Sequence, residues 1–379
     1  MRTFMLATLA LLLGACATTP PYPGKRPLTA ANTSAIGATT VVVDENNNGI
    51  EKTWFMTDSS AAGAQYGLLG ALITGAMDAI INSGPSHRAQ KAADEIAASM
   101  PVDALNASLV KAFRDQITSA SDPRPGIRIT DAKSVQKVLA PDPVNKAVEV
   151  AVSYSLSEDA SALRVAARAS YLDDGLKYAT PYDFKGNVPK SELSGPVYAN
   201  SFTYYSDQLP VPTLTPELKE RLVASIQDSY RNEAGAAPAA DSKEFKAMSK
   251  ELDQARDDKL TKPEIAIFLT REWLKDGGAR LRREIDNANA FIVKYLTTDL
   301  ATTAVPKLDG QDELLETLPD QRTVRRIGAG QPAGSYVSAP GNVATFVTYG
   351  NASGIAKSSV ERTKALNEEA RHAKPSQTK

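Results

Sequence analysis

Two stretches in the middle of the chain alternate apolar and polar residues, which is the pattern of β-strands that bury one face. Their apolar positions are Val148, Val150, Val152, Tyr154 and Leu156 in the first stretch, and Leu163, Val165, Ala167, Ala169 and Tyr171 in the second. Residues 157–161 between them have turn-forming side chains, so we predict a long antiparallel hairpin. Residues 197–205 predict a further strand.

Residues 39–44 and 51–57 are rich in β-branched and aromatic side chains, which predicts two more strands. Asn48-Gly49 lies between them and favours a tight hairpin, because both residues tolerate positive φ. The spacing of Asp44, Asn46 and Asn48 also fits the first half of a calcium loop. The twelfth loop position, where a carboxylate is needed, is Phe55, so the turn is the favoured interpretation.

After this region, the sequence predicts helices. Gly84-Pro85-Ser86 separates two helical stretches, the second over residues 89–100, and Pro101 opens another helix. The apolar face of that next helix consists of Leu105, Leu109, Phe113 and Ile117. Beyond it, residues 126–130 predict a strand and residues 134–139 a short helix.

The second half of the chain predicts helices with recognisable caps. Thr215 is a good N-cap before Pro216, Ser242 caps another helix, and Gly277-Gly278 marks a break. The helix after the break has a heptad-like seam formed by Leu281, Ile285, Ala288, Ile292 and Tyr295. We expect a helical hairpin within one chain, with an intermolecular coiled coil as the alternative.

Residues 323–327, 335–338 and 343–349 predict strands of a small terminal sheet, with a turn at 340–342. The expected fold class is therefore α+β: an antiparallel sheet with packed helices, then a helical hairpin region and a small C-terminal β element. The predicted segments are a signal peptide (1–15), a Pro-rich tether (16–35), an α/β domain (36–210), a helical region (211–300), the β element (301–350) and a polar tail (351–379).

Residues 60–81 carry no charge before Asp78 and contain four regularly placed glycines, Gly63, Gly67, Gly70 and Gly75. Small residues at such spacing let helix backbones approach closely, so these glycines are candidate helix-contact residues. The favoured interpretation is a buried helix packed on the sheet. The alternative is a helix that inserts into a membrane or lines an oligomer interface.

The N-terminus has the layout of a secretory signal peptide. Arg2 precedes an apolar run of about ten residues, which is too short to span a bilayer. Leu13-Gly14-Ala15-Cys16 then resembles the lipobox of bacterial lipoproteins. The resemblance implies cleavage between Ala15 and Cys16 and acylation of Cys16 with palmitate-type chains. Because Ala17 and not Asp follows the cysteine, it also implies an outer-membrane destination facing the periplasm.

Composition narrows the range of possible partners and binding sites further. Cleavage before Cys16 removes 15 of the 379 residues, among them Arg2, so 42 of the 43 basic side chains remain against 44 acidic ones. This balance gives no electrostatic reason to expect nucleic acid as a partner. Cys16 is the one cysteine in the sequence, so no thiol remains for disulfides or metal binding once it is acylated.

The order of hairpin, helices, strand, hairpin and strand is similar, at the level of fold, to small α/β modules of envelope lipoproteins. Examples are the curli-secretion channel subunit and the lipoprotein activators of peptidoglycan synthases. A likeness of fold does not carry function.

Catalytic patterns are weak. The histidines are His87, at a helix start, and His372, in the polar tail, and they form no zinc motif or triad signature. Ser108-x-x-Lys111 and Ser134-x-x-Lys137 match one element of penicillin-binding sites. Two such matches are expected by chance in a chain this rich in serine and lysine.

The glycine-rich residues 328–335 predict a loop between strands, with contact to an anionic partner as the alternative. The acidic neighbours Asp173-Asp174, Asp257-Asp258 and Glu158-Asp159 are typical of solvated turns.

We therefore expect no catalytic residues, no metal site and no cofactor. The expected function is a non-enzymatic lipoprotein, anchored in the outer membrane, that serves as scaffold or adaptor for an envelope protein. One alternative is a subunit of an oligomeric membrane assembly that uses residues 60–81, which makes a homo-oligomer an open question. Another is a protein that binds, or an enzyme that acts on, cell-wall or small polar ligands.

Overall fold

The computed structural model describes residues 26–341, except 46, 48, 53–82, 120–127, 130–134, 139–145, 158, 174, 177–195, 212, 233, 258–259, 261, 304–309 and 329–332. The lipobox, the glycine-rich segment 60–81, the predicted strand 343–349 and the polar tail lie outside the described residues. Among the described helices, none is long and apolar enough to cross a membrane.

The described strands form one mixed sheet with helices packed against it, which confirms the α+β class. The strands are β1 (Ala38–Asp44), β2 (Ile50–Lys52), β3 (Arg128–Ile129), β4 (Val135–Val138), β5 (Ala147–Leu156), β6 (Leu163–Tyr171), β7 (Tyr198–Tyr205), β8 (Glu313–Thr317), β9 (Thr323–Arg326) and β10 (Tyr336–Ala339). They lie in the order β3-β1-β5-β6-β7-β10-β9-β8, with β4 also beside β1 and β2 beside β5.

The central hairpin is confirmed. β5 and β6 pair antiparallel from Val148↔Tyr171 to Leu156↔Leu163, and β7 pairs antiparallel with β6. The ten predicted apolar positions are all buried, and they share one face of the sheet. We call this the inward face, and the opposite side of the sheet the outward face.

The predicted hairpin between β1 and β2 is wrong. Both strands pair parallel with β5, β1 along its first half and β2 along its end. The chain therefore makes a short excursion and continues in the same direction along one neighbour. Gly49 does have the positive φ expected of Asn-Gly, +74°, and its N–H donates to the side chain of Asn47. The geometry at Gly49 is thus the one expected of a turn. β1 and β2 nevertheless pair with β5, about a hundred residues further along the chain, and not with each other.

Two further expectations are corrected. Residues 134–139 do not form a helix, because Val135–Val138 is strand β4, which pairs parallel with β1. The terminal strands do not form a separate small sheet. β10 pairs parallel with β7 and antiparallel with β9, so the C-terminal strands extend the main sheet. The sequence also gave no sign of β8, which pairs with β9.

The helices are α1 (Ala30–Ile36), α2 (Ser83–Ser99), α3 (Val102–Ser119), α4 (Pro216–Ser229), α5 (Lys243–Arg256) and α6 (Lys262–Leu300). The N-caps Thr215 and Ser242 are confirmed, since each side chain accepts a hydrogen bond from the third residue of its helix. The break at Gly277-Gly278 is confirmed as well, since residues 275–278 are non-helical within α6.

The main core lies between the inward face, α2, α3 and α6. Leu105, Leu109 and Phe113 of α3 are buried there. The five seam residues of α6 are buried in the same core, which agrees with packing inside one chain and leaves no seam exposed for a coiled coil.

A second, smaller core joins α4, α5 and the start of α6 around Leu222, Ile226, Met248 and Phe268. It is tied to α2 by Arg88, which is buried and donates to Glu251 of α5 at 2.8 Å. The helical region therefore packs against the α/β region through an ion pair as well as through apolar contact.

Trp273 connects the helical layer to the central hairpin. The side chain is fully buried, and its Nε1–H donates to the carbonyl of Ala160, in the β5–β6 turn, at 2.8 Å.

We predict that Trp273→Phe lowers the free energy of unfolding by about 2–4 kcal/mol, since it leaves a void and an unpaired carbonyl. Urea unfolding measures this loss. Val211→Ala, at a position 59% exposed, should change stability by less than about 0.5 kcal/mol; similar losses in both variants would contradict the prediction.

Candidate functional site

The residues that sequence analysis placed at functional positions fall outside the described structure. These are Ala15, Cys16, Gly63, Gly67, Gly70 and Gly75. Their proposed roles therefore stay predictions.

The Ser108-x-x-Lys111 pair does not form a serine–lysine site. Ser108 Oγ donates to Asp286 of α6 at 2.8 Å and accepts from Asn289 at 2.9 Å. Lys111 Nζ points to solvent and pairs with Asp115 on its own helix. The serine thus joins α3 to α6. Lys137 of the second pair lies on strand β4, where the helical spacing of that motif does not apply.

The glycine-rich residues 328–335 lie between β9 and β10, as predicted, and residues 329–332 of this segment are outside the described residues. Ile327 and Ser335 extend this hairpin through backbone hydrogen bonds. Gly328 approaches residue 311 so closely that a Cβ atom there would lie 1.8 Å from the carbonyl oxygen of Gln311. This close backbone contact explains why position 328 is a glycine, so a bound phosphate is not needed to explain it.

Asp159 has a structural role in the β5–β6 turn. Its carboxylate accepts from the hydroxyl groups of Ser157 and Ser161 at 2.6 and 2.7 Å, and from the Ser161 N–H at 2.9 Å. Asp173 likewise accepts from the N–H of Gly175. These contacts fit the expectation of turn chemistry.

The densest polar cluster in the described structure surrounds Asp299, at the C-terminal end of α6. The residue is 3% exposed. One carboxylate oxygen accepts from the Tyr198 hydroxyl at 2.9 Å and from Asn200 Nδ2 at 2.8 Å, and the other accepts from the Tyr336 hydroxyl at 2.9 Å. The donors come from β7 and β10, so one carboxylate binds a helix to two neighbouring strands.

Tyr336 links this carboxylate to the edge of the sheet. Its hydroxyl oxygen accepts from Arg326 of β9 at 3.1 Å, and Arg326 donates in turn to Glu313 of β8 at 2.8 Å. Its ring stacks on Phe202 with centroids 5.4 Å apart. A continuous chain of hydrogen bonds therefore runs from α6 across β10 and β9 to β8.

Two further carboxylates on this side of the molecule are held in similar ways. Glu316 of β8 accepts from Lys294 and from the Tyr295 hydroxyl of α6, both at 2.6 Å. Glu284, buried on α6, accepts from the Tyr204 hydroxyl at 2.8 Å. The Arg322 guanidinium lies over the Tyr204 ring, 4.4 Å from its centroid.

Burial in this cluster raises the pKa of its phenols. The pKa of Tyr198 is held well above its usual range by burial first and then by the charge of Asp299. Tyr204 and Tyr336 are raised in the same direction by burial and by Glu284 and Asp299, respectively. The pKa of Glu316 is lowered, because Lys294 and Tyr295 donate hydrogen bonds to its carboxylate.

This arrangement stabilises the neutral phenols, which act as hydrogen-bond donors. The buried cluster therefore holds α6 and the strands together. Among the described residues, no group of His, Cys, Asp and Glu is arranged to hold a metal ion. A shallow groove of about 630 Å³ runs along α5 past Phe245, Lys246 and Asp253. It lies on a different element from the Asp299 cluster.

Comparison with known proteins gives no match to a family model, to a curated protein or to a solved structure. Function is therefore argued from the residues of this chain.

Sequence analysis missed the Asp299 cluster. One signal was present: Asn200 interrupts the inward, otherwise apolar positions of β7, and a polar side chain at such a position needs a buried partner. The partner lies 99 residues away along the chain, beyond the reach of any local pattern.

We predict that Asp299→Ala lowers the free energy of unfolding by about 4 kcal/mol, because it removes the carboxylate to which three buried side chains donate. Tyr336→Phe keeps the stacked ring and should cost about 1–3 kcal/mol. Urea unfolding of both variants, with Tyr295→Phe as control, measures the difference. Water can reach Glu316, whose side chain is 32% exposed, so the control should lose about 1 kcal/mol or less. A smaller loss for Asp299→Ala than for Tyr336→Phe would contradict this account.

The raised pKa of the buried phenols also predicts alkaline unfolding. Tyr198, Tyr204 and Tyr336 have a higher pKa in the folded than in the unfolded chain. Their contribution to stability is therefore complete below the unfolded value of about 10 and is lost as the pH rises above it. Tyrosine absorbance and circular dichroism, followed together against pH, should show these phenols ionising as the protein unfolds. Full ionisation of all tyrosines in the folded state would contradict the prediction.

Proposed function

We propose that the protein is a lipid-anchored lipoprotein of the bacterial envelope, held in the outer membrane by acylated Cys16 and facing the periplasm. Its α+β body serves as a non-enzymatic scaffold or adaptor for an envelope protein partner. The observation that carries this proposal is the lipobox-like Leu13-Gly14-Ala15-Cys16 after a short apolar run.

The anchor and the residues after it support the proposal together. An apolar run of about ten residues targets a chain for export but cannot hold it in a bilayer, whereas several acyl chains on one cysteine can. Prolines at 20, 21, 23 and 27 follow directly. Proline-rich segments favour extended backbone, which suits a spacer between lipid and body.

The use of polar side chains in the body also supports a scaffold. Asp299, Glu284 and Arg88 are buried, and each is bonded to side chains of other elements. Ser108, whose Ser-x-x-Lys match was attributed to chance, likewise joins two helices. These polar contacts fix one arrangement of sheet and helices, as a rigid adaptor requires.

We predict that the native protein carries acyl chains on Cys16 and fractionates with the outer membrane. Cys16→Ser should abolish acylation and release the protein from that membrane. Mass spectrometry of the N-terminal peptide and membrane fractionation measure both effects. Ala17→Asp is the matched variant: it should stay acylated but leave the outer membrane, if sorting follows the resemblance. An unmodified Cys16 in the native protein would overturn the proposed anchor.

Crosslinking in cells tests the scaffold role. The adaptor proposal expects one envelope protein at a near-constant ratio, recovered with the acylated protein and lost with Cys16→Ser. Self-crosslinks that map to residues 60–81 would favour the alternative of an oligomeric membrane assembly. Replacement of Gly67 and Gly70 by leucine should then dissolve the multimer.

A further inference from the structure

One edge of the sheet is open among the described strands. β8 ends the strand order and pairs with β9 alone, so its other side has no neighbour in the part of the chain that the structure describes. We propose that this side of β8 is a strand-binding edge, and that residues 343–349 of the same chain pair with it as a further, antiparallel strand. The proposal concerns the folded body and does not depend on the proposed lipid anchor.

β8 has the surface of a strand that is covered on one face alone. Leu314 is 57% exposed, and among the described residues Val211 is the one other large apolar side chain that is exposed. Leu315 packs against the main core, and Glu316 is bonded to α6, so α6 covers β8 from the inward face. An edge strand with unpaired backbone groups is a template for another strand.

Residues 343–349 have the composition of a strand that needs a partner. The sequence is Val-Ala-Thr-Phe-Val-Thr-Tyr, so six of the seven residues are β-branched or aromatic. No charged residue and no proline occurs between positions 341 and 356. Charges and prolines are the usual means of keeping such a segment from pairing with other chains, so a strand of its own fold has to take it.

The position of β10 excludes a simple hairpin across the predicted turn at 340–342. β10 pairs with β7 on one side and with β9 on the other, so residues 343–349 cannot lie beside it. To join the sheet, they have to pass to another edge. The edge of β8 is the nearest, because β9 and β8 alone lie between it and β10.

The chain leaves β10 at the turn between β8 and β9. Ala339 pairs with Thr323, and Thr323 pairs with Thr317, so the end of β10 is level with the end of β8. Gly341 lies against the turn, where a Cβ atom would be 3.0 Å from the carbonyl oxygen of Gln321. The described chain therefore stops at the end of the sheet where a strand antiparallel to β8 begins.

The length of the segment fits this connection and no other. Eight residues lead from Gly341 to Tyr349, and they reach about 27 Å when extended. The open side of β8 is three strand spacings from β10, about 14 Å. About four residues then remain to pair with β8, which has five. The edges beyond β2 and β3 are at least about 24 Å away and leave about one residue to pair.

The resulting strand order is a Greek key. β8, β9 and β10 follow one another as neighbours, and the fourth strand returns to lie beside the first. β8 and β10 both run antiparallel to β9, so a chain that reverses after β10 runs antiparallel to β8. The proposed pairing therefore needs no unusual connection.

Pairing also covers the exposed leucine. Leu314 lies opposite Arg325 and faces outward, and alternate residues of the new strand share that face. The two alternating sets of residues 343–349 each include large apolar side chains, valines in one and Phe346 in the other. Either register thus brings an apolar side chain to the side of β8 on which Leu314 lies.

A strand of another chain fits this edge less well. β8 carries two glutamates, so a second copy of β8 would bring two more acids to the same edge. The glutamates and the bulge between Leu314 and Glu316 also blunt the edge against unrelated strands. An uncharged segment that is attached to β10 meets no such repulsion and pairs at a high effective concentration.

The test uses full-length Cys16→Ser protein, in which no native cysteine remains. Leu314→Cys is combined in turn with one cysteine at each position from 344 to 349, under mild oxidation. Opposite residues of paired strands have Cβ atoms about 5 Å apart, which a disulfide can bridge. We expect disulfides within one chain at one position and more weakly two residues away, with about tenfold less at the positions between.

Val211→Cys is the matched control, because Val211 is 59% exposed and lies between β7 and α4. It should give about tenfold less disulfide with the same six positions and no alternation. Mass spectrometry of unreduced peptides assigns each disulfide. A mixture of isotope-labelled and unlabelled protein separates disulfides within one chain from those between chains.

Hydrogen exchange measures the same edge without added cysteines. Val347→Pro removes a donor from the proposed strand and disfavours pairing. It should speed exchange of the β8 amides on the open side by about tenfold, since these amides lose their acceptors. Ala356→Pro, beyond the proposed strand, should leave their exchange unchanged.

Absence of disulfides, disulfides without alternation, or equal yields with Val211→Cys would overturn the proposal, as would unchanged exchange of β8 in Val347→Pro. Disulfides between chains alone would assign the edge to a second copy instead. Loss of the proposed anchor is a separate result. An unacylated Cys16 in the native protein would refute the lipoprotein and leave the disulfide pattern as it stands.

Discussion

A buried carboxylate at the end of α6 joins the C-terminal strands to the rest of the molecule. Asp299 accepts from Tyr198 and Asn200 on β7 and from Tyr336 on β10, so both strands depend on the same acceptor. A charge at 3% exposure is costly unless its oxygens are fully bonded. The arrangement is therefore specific: β10 has to lie beside β7 for the third donor to arrive, and β9 and β8 follow through Arg326 and Glu313.

The parts of this fold that sequence predicted are those with local causes. The β5–β6 hairpin follows from strict alternation, and the starts of α4 and α5 follow from Thr215 and Ser242. β4 was expected to be part of a short helix, but parallel pairing with β1 makes it a strand. β1 and β2 have hairpin-like turn chemistry, yet both align with β5. Tertiary pairing decided the cases in which local preference was weak.

The Asp299 cluster could not be predicted for a related reason. The donors Tyr198, Asn200 and Tyr336 lie 101, 99 and 37 positions from Asp299, and an aspartate at a helix end is usually interpreted as solvated. Its one sequence trace is Asn200 on an inward strand position. The proposed lipobox at Cys16 is the opposite case, because a lipobox is a linear motif that needs no contact between distant residues. The sequence therefore carries the evidence for the proposed anchor, and the structure carries the evidence for how the body packs.

The sheet also gives the molecule two chemically different sides. Large apolar residues on the inward face accept α2, α3 and α6, whereas the outward positions of β5 and β6 carry small and charged side chains, with Glu149 diagonal to Arg168. Burial of apolar area drives the packing of helices on the inward face, and opposite charges on neighbouring strands of the outward face support the pairing of β5 with β6.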